Sequence, residues 1–292
     1  MPSKPEKDDV TGVETTGHSW DGIKELNNPL PSWWVYTFYV CIAFSVLWFI
    51  LFPAIPFGPS ATTGLTGNTA RERVAREIAE AEAARAGINQ QILEADLDEI
   101  QNAPDLLTYA LTGGEIVFGD NCAPCHGVGG TGQLDYPVLA DDAWLWGGTL
   151  EQIQQTILYG VRNMEYEFDA RFSLMPNFGS DGLLTRDEID QVANYVLTLA
   201  GGTAPSPDLV DAGSVIFAEQ CTACHGPGGE GIEDLGAPNL TDAIWLFGGE
   251  FADIQAQIWQ PQHGVMPGWV DRLDPASLKM SALYVHSLGG GR

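Results

Sequence analysis

Basic residues are scarce: 13 Lys and Arg stand against 39 Asp and Glu in 292 residues, a formal net charge of −26. Phosphate backbones repel so acidic a chain, which excludes a nucleic-acid-binding role and favours basic protein partners. There are only five cysteines, and four of them fall in two short repeated motifs, leaving none for a disulfide framework. Alternating strand patterns are few, which argues against an all-β fold. A hydrophobic content of 45% argues against disorder. From residue 32 to residue 70 there is no charged side chain.

That uncharged stretch contains the apolar run Trp33 to Phe52, 20 residues long. As a helix it would span about 30 Å, the thickness of the hydrocarbon layer of a bilayer. Trp33, Trp34 and Tyr36 at one end and Trp48 near the other are placed as interfacial anchors. Pro29 and Pro31 precede the run, and Pro53, Pro56 and Pro59 follow it. One transmembrane helix is therefore expected over about 33–53, within an N-terminal segment 1–57. No short basic stretch precedes it, which argues against a cleaved signal peptide. Residues 1–32 read mostly as a polar tail, although Trp20-Asp21-Gly22-Ile23 and Asn27-Asn28-Pro29-Leu30-Pro31 mix apolar and turn residues as a bare tail would not. Cys41, inside the apolar run, reads as a small buried hydrophobe.

Residues 58–104 read as connecting structure. Gly58 to Asn68 has the composition of a flexible linker. Asn68 or Thr69 can cap a charged helix to about Ala86, with Gly87 as its stop, and a second helix is expected from Gln90 to Gln101. This region is either a solvated spacer or a surface against a partner.

The chain is organised around Cys122-Ala-Pro-Cys125-His126 and Cys221-Thr-Ala-Cys224-His225. Cys-x-x-Cys-His attaches c-type haem: the two thiols form thioethers with the porphyrin edge and the adjacent imidazole meets the iron. A zinc site would need a second, distant ligand pair, and a thioredoxin-like pair would need a surrounding βαβ pattern; neither copy has these. Covalent attachment of this haem takes place outside the bacterial cytoplasmic membrane. The expected topology is thus a single pass through the inner membrane, N-terminus cytoplasmic and haem domains periplasmic. Lys4, Lys7 and Lys24 before the helix and Arg71 and Arg73 after it leave orientation open on charge alone.

Around the two motifs the whole context is duplicated. Gly114, Phe118 and Cys122 match Gly213, Phe217 and Cys221, spaced by four so that each set shares a helix face. Pro137-Val-Leu139 matches Pro238-Asn-Leu240, and Ala143-Trp-Leu-Trp-Gly-Gly148 matches Ala243-Ile-Trp-Leu-Phe-Gly-Gly249. Each copy ends in a helix containing Tyr195 or Tyr284, and Gly201 to Pro207 joins the two. The expected fold is mainly α: one N-terminal transmembrane helix followed by two tandem class I cytochrome c-like domains, at 105–201 and 208–292. Each is expected to fold around its own cofactor, giving two covalently bound haem c.

A low-spin electron carrier needs a sixth ligand, and Met opposite His raises its potential. Met164 and Met175 compete in the first copy, Met266 and Met280 in the second. Met175-Pro-Asn-Phe178 and Met266-Pro-Gly-Trp269 stand in the same context, and a proline beside the ligand stiffens its loop. Met175 and Met266 are therefore the expected ligands, each for the haem of its own domain on the simplest assumption; exchange between closely packed domains stays open. His18, His263 and His286 are expected to face solvent or pack, and the pairs Trp144/Trp146 and Trp245/Phe247 to wall the haem pockets.

The segment from His18 to Trp34, with Asp21-Gly22-Ile23 and Asn28-Pro29-Leu30-Pro31-Ser-Trp33-Trp34, precedes one apolar helix and two Cys-x-x-Cys-His domains. In this arrangement the whole chain resembles subunit III of the cbb-type (C-family) haem–copper cytochrome c oxidases, the FixP/CcoP family. The resemblance implies an electron-transfer subunit without catalytic activity of its own. It would take electrons from a donor cytochrome c or the quinol–cytochrome c reductase and pass them to the monohaem subunit II. From there they would reach the oxygen-reducing, proton-pumping subunit I. It carries haem attachment onto Cys122, Cys125, Cys221 and Cys224, and iron ligation onto His126, His225, Met175 and Met266. Pro137 and Pro238 fall where this family offers a backbone carbonyl to the proximal histidine. The competing readings are a membrane-bound dihaem cytochrome serving another complex, such as a dehydrogenase or nitrogen-oxide reductase, and a dihaem peroxidase, against which the two matching Met-Pro motifs argue.

Overall fold

The computed structural model describes residues 4–52, 55–67 and 69–291. Pro53 and the candidate cap Asn68 lie outside the described residues. The chain forms two compact units, residues 1–84 and 85–292.

In the first unit the expected polar tail is in fact an antiparallel hairpin, β1 (Thr15–Trp20) with β2 (Ile23–Leu26). Asp21 and Gly22 close it in two residues, with φ of 49° and 84°. Two left-handed residues make the turn whose twist matches paired strands, and Asp-Gly is the dipeptide that tolerates it best. Glu25 on β2 accepts from the Trp20 indole at 2.8 Å and the Thr16 hydroxyl at 2.9 Å, which fixes Trp20 in place.

Helix α1 (Ser32–Leu51) follows, with a mean hydropathy of 2.0 and no buried residue. It is long and apolar enough to cross a bilayer. Cys41 shares its exposure, so among the described residues nothing buries it as expected. The stretch after α1 is not a free linker. It forms a small hairpin, β3 (Pro56–Phe57) with β4 (Ser60–Ala61), then turns back so that Leu65 and Thr66 donate to the carbonyls of Ile50 and Leu51. Gly64 allows this return: its φ is +65°, and a side chain there would strike the Leu51 carbonyl.

Helix α2 (Ala70–Glu94) starts at Thr69, which exchanges hydrogen bonds with Glu72. It does not stop at Gly87. One helical glycine costs only about 1 kcal/mol, and the last turns have something to gain: Ile92 is fully buried. Lys279 caps the end of α2 by donating to the carbonyls of Ile92, Leu93 and Ala95 at 3.1, 2.9 and 2.6 Å. Helix α3 (Leu97–Asn102) begins at the capping box of Asp96 and Glu99 and buries Leu97 and Ile100 in the same cluster. The end of the connecting region is thus part of the core.

The duplicated elements follow: α4 (Pro104–Asn121), α5 (Ala123–His126), α6 (Leu150–Tyr159) and α7 (Arg186–Leu199) in the first copy. The second copy supplies α8 (Val210–Gln220), α9 (Thr222–His225), α10 (Phe251–Trp259) and α11 (Pro275–Ser287). The expectation that each copy folds around its own site does not hold. Helix α4 packs on α11, and α7 packs on α8. The two helices at the middle of the chain form a hairpin because their connection is short and tied: buried Asn194 accepts from the Ser206 amide at 2.9 Å. The outermost helices are left to pair with each other. Both crossings use the same device. A side chain at Gly114 would strike the Met280 backbone and Tyr284, and one at Gly213 would strike the Gln191 backbone and Tyr195. At those close approaches Phe118 packs at a tilt against Tyr284, 5.4 Å between ring centroids, and Phe217 against Tyr195 at 5.3 Å.

Candidate haem sites

Each Cys-x-x-Cys-His forms its own single helical turn at the end of a longer helix: α5 after α4, and α9 after α8. Cys125 and Cys224 are exposed, while Cys122 and Cys221 are half-buried. Burial first, and then the neighbouring thiol, pushes both Cys122 and Cys221 up to about 11, so both stand as neutral thiols at neutral pH.

The imidazoles are fixed by backbone. His126 Nδ1 lies 3.2 Å from the Pro137 carbonyl, and His225 Nδ1 lies 3.1 Å from the Pro238 carbonyl. A carbonyl can only accept, so Nδ1 carries the proton and Nε2 keeps its lone pair. Burial holds both histidines below the ordinary imidazole range, only partly offset by that hydrogen bond. A neutral imidazole with a free, oriented Nε2 is what a metal ligand requires.

Around these groups the structure gathers two apolar clusters. One joins Cys122, Leu139, Trp144 and Phe118 of the first copy with Met266, Trp269, Ala282 and Leu288 of the second. The other joins Cys221, Trp245, Phe217 and Leu240 with Met175, Phe178, Val196 and Leu199. Met266 therefore sits with the first haem motif and Met175 with the second, contrary to the assumption that each serves its own domain. The reason is the helix exchange, which carries the end of each copy to the start of the other. Among the described residues no three His, Cys, Asp or Glu side chains come together as a metal cluster. Two thiols, one oriented imidazole and one thioether in each apolar pocket fit covalent haem with a His/Met pair.

The rival methionines are elsewhere. Met280 is buried against Gly113 in the crossing of α4 and α11, and Met164 is 66% exposed on the surface. Trp144 and Trp245 belong to the two pocket clusters. Trp146 is buried, and its indole fills the space where a Gly236 side chain would stand.

Two positioning groups are not among those that motif and spacing pick out. Val161 exchanges two backbone hydrogen bonds with Met266, each 3.0 Å, as an antiparallel bridge. His263, expected to face solvent or pack, accepts from the Met175 amide through Nε2 at 3.0 Å. Burial and the nearby Arg162 charge hold His263 below its usual range, which keeps that nitrogen free to accept. His263 lies 88 residues from Met175, so no local signal announces the contact.

Three family models match the chain. The N-terminal domain of cytochrome oxidase-cbb3, FixP, covers residues 12–59. Cytochrome c covers residues 111–200, and cytochrome c oxidase, cbb3-type, subunit III covers residues 208–285. Among curated relatives, the cbb3-type cytochrome c oxidase subunit FixP of Bradyrhizobium diazoefficiens is 50% identical, with 100% of both chains covered. The CcoP subunit of Cereibacter sphaeroides is 47% identical, again over 100% of both chains. The CcoP subunit of Azospirillum sp. is 46% identical over 98% of both. With matched models along most of its length and full-length relatives near half identity, the chain belongs to the CcoP/FixP family, subunit III of the cbb3-type cytochrome c oxidases.

Proposed function

We propose that the chain is the membrane-anchored dihaem electron-transfer subunit of a cbb3-type oxidase. It accepts electrons from a donor cytochrome c and passes them by way of its two haems to the monohaem subunit II, and so to the oxygen-reducing, proton-pumping subunit I. It has no catalytic activity alone. The observation that carries this reading is the matched pair of apolar clusters, each joining the first cysteine of a Cys-x-x-Cys-His, whose imidazole is held by a backbone carbonyl, with a methionine from the other copy. A site filled on both sides of the iron suits electron transfer rather than substrate binding.

Haem c, when bound, supplies a one-electron Fe(III)/Fe(II) couple. The residues assigned to it are Cys122, Cys125, His126 and Met266 for the first haem, and Cys221, Cys224, His225 and Met175 for the second. The Pro137 and Pro238 carbonyls orient the imidazoles, and the apolar clusters keep water from the iron. The haem domains lie in the periplasm and α1 spans the inner membrane. The surface beyond residue 57 is strongly acidic and suits a basic donor.

The N-terminal segment docks on the oxidase. Trp20 and Ile23 are 65% and 75% exposed on a hairpin that is itself ordered, an arrangement suited to a partner surface rather than a tail. The test is to exchange residues 1–57 for an unrelated single-span anchor. The expected product binds two haems and is still reduced by donor, but no longer co-purifies with the catalytic subunit, and oxygen uptake falls. Native co-purification with the foreign anchor would overturn the docking role.

A further inference from the structure

Arg162 is a half-buried cation in a strongly acidic protein, yet among the described residues it has no ion pair. Its guanidinium goes to backbone instead. Nε donates to the Gly264 carbonyl at 2.7 Å, and Nη1 donates to the Ser173 carbonyl at 3.1 Å. Gly264 stands two residues before Met266, and Ser173 two residues before Met175. One side chain therefore grips the equivalent carbonyl ahead of both methionines. Each methionine is followed at once by a proline, Pro176 or Pro267, so each is fixed from both sides.

The backbone around Arg162 is built for this. Val161 bridges Met266 on one side and Arg171 on the other, and the Arg162 amide donates to the Arg171 carbonyl at 2.7 Å. Arg162 itself adopts a left-handed φ of 51°, a conformation disfavoured for a residue with a Cβ. At the equivalent place after α10, counted from Ile153 and Ile157 against Ile254 and Ile258, stands His263, which among the described residues meets only the Met175 amide and no second loop carbonyl. The grip is thus unique to the first copy and serves both.

We propose that Arg162 is a shared positioning residue, its guanidinium fork setting both methionine loops against their irons at once. The inference rests on Met175 and Met266 being the axial ligands. A planar fork with two separated donors can hold two carbonyls, whereas a lysine is a single point charge on a flexible stem and holds one.

The test uses the membrane-purified subunit with both haems attached. Redox titration and the weak red charge-transfer band of a thioether-bound ferric haem are read for Arg162→Gln, Arg162→Lys and Arg162→Gly. The expected result for Arg162→Gln is unchanged haem content with both midpoint potentials lowered and the band weakened at both haems. Arg162→Gly, which accepts the left-handed backbone without strain, should show the same double loss, because the fork and not the turn is missing. Arg162→Lys should recover one haem at most. Full recovery of both haems in Arg162→Lys would mean that charge alone matters, and would overturn the inference. So would a change confined to one haem in Arg162→Gln, or native behaviour in Arg162→Gly. Met175→Ala and Met266→Ala serve as controls. If neither removes a share of the band, the axial assignment itself has failed; if both do while Arg162→Gln is silent, only the shared grip has failed.

Discussion

Met266 and Met175 occupy equivalent places in the duplicated sequence and are held by different means. Met266 is bound through its own backbone, in two hydrogen bonds to Val161. The Met175 amide goes to a side chain, His263 Nε2. The imidazoles differ too: His225 is only 8% exposed, while His126 is half-buried. The duplicated sequence keeps the same residue types at the two candidate sites, while the groups that support them differ. Both methionine loops meet the Arg162 fork; beyond it, the Met175 loop depends on an imidazole and the Met266 loop on backbone alone.

The largest effects should be equal at the two sites. Cys122→Ala and Cys221→Ala should each remove about half of the covalent haem, measured by haem stain and pyridine haemochrome, because each motif attaches one haem. Unequal loss would mean that one motif depends on the other. The next test sharpens the exchange. In Cys122→Ala protein that has lost the first haem, Met266→Ala should change nothing further in the redox titration. Met175→Ala in the same background should still lower the remaining potential. The reverse pattern would restore own-domain ligation. A third comparison concerns the crossings. Gly114→Ala and Gly213→Ala should each destabilise the fold by about 1–3 kcal/mol in thermal or denaturant melts, since each forces apart a helix pair in contact. The smallest effect should break the symmetry. His263→Ala removes one hydrogen bond, worth about 0.5–1.5 kcal/mol, and should lower only the potential of the haem ligated by Met175. A matching fall at the Met266 haem would contradict the different supports seen here.

The two Cys-x-x-Cys-His motifs are legible because thioether chemistry calls for a five-residue pattern, and the two Met-Pro contexts because they stand in matching loops. Helix α1 is legible from its uninterrupted apolar length. The helix exchange is not, and the reason is the duplication itself. Gly114 with Phe118 can meet either Tyr195 or Tyr284, and Gly213 with Phe217 can meet either as well. Residue types alone score the two pairings alike; the short tied connection from α7 to α8 decides between them. The hairpin β1–β2 was half visible in Asp21-Gly22, but its few apolar residues lacked a clear alternation. Gly87 misled because a helix stop was inferred without knowing that Lys279 would hold the turns beyond it.

The pairing of α4 with α11 has a consequence for how the protein is made. The first Cys-x-x-Cys-His emerges from the ribosome well before the last helix, which must eventually cover it. Until residues 266–287 have been made, the nascent chain can offer those two thiols only as an open segment, without α11 and without Met266. Attachment at this motif can therefore run ahead of enclosure, and the two need not be completed in the same step. Residues 288–290 then act as the closing seam: Gly290 accepts from the Trp144 indole at 2.7 Å, and Leu288 fills the space beside Gly130. Removal of residues 288–291 by a protease would accordingly open the first cluster, whose Trp144 stands 146 residues from Gly290, before the second.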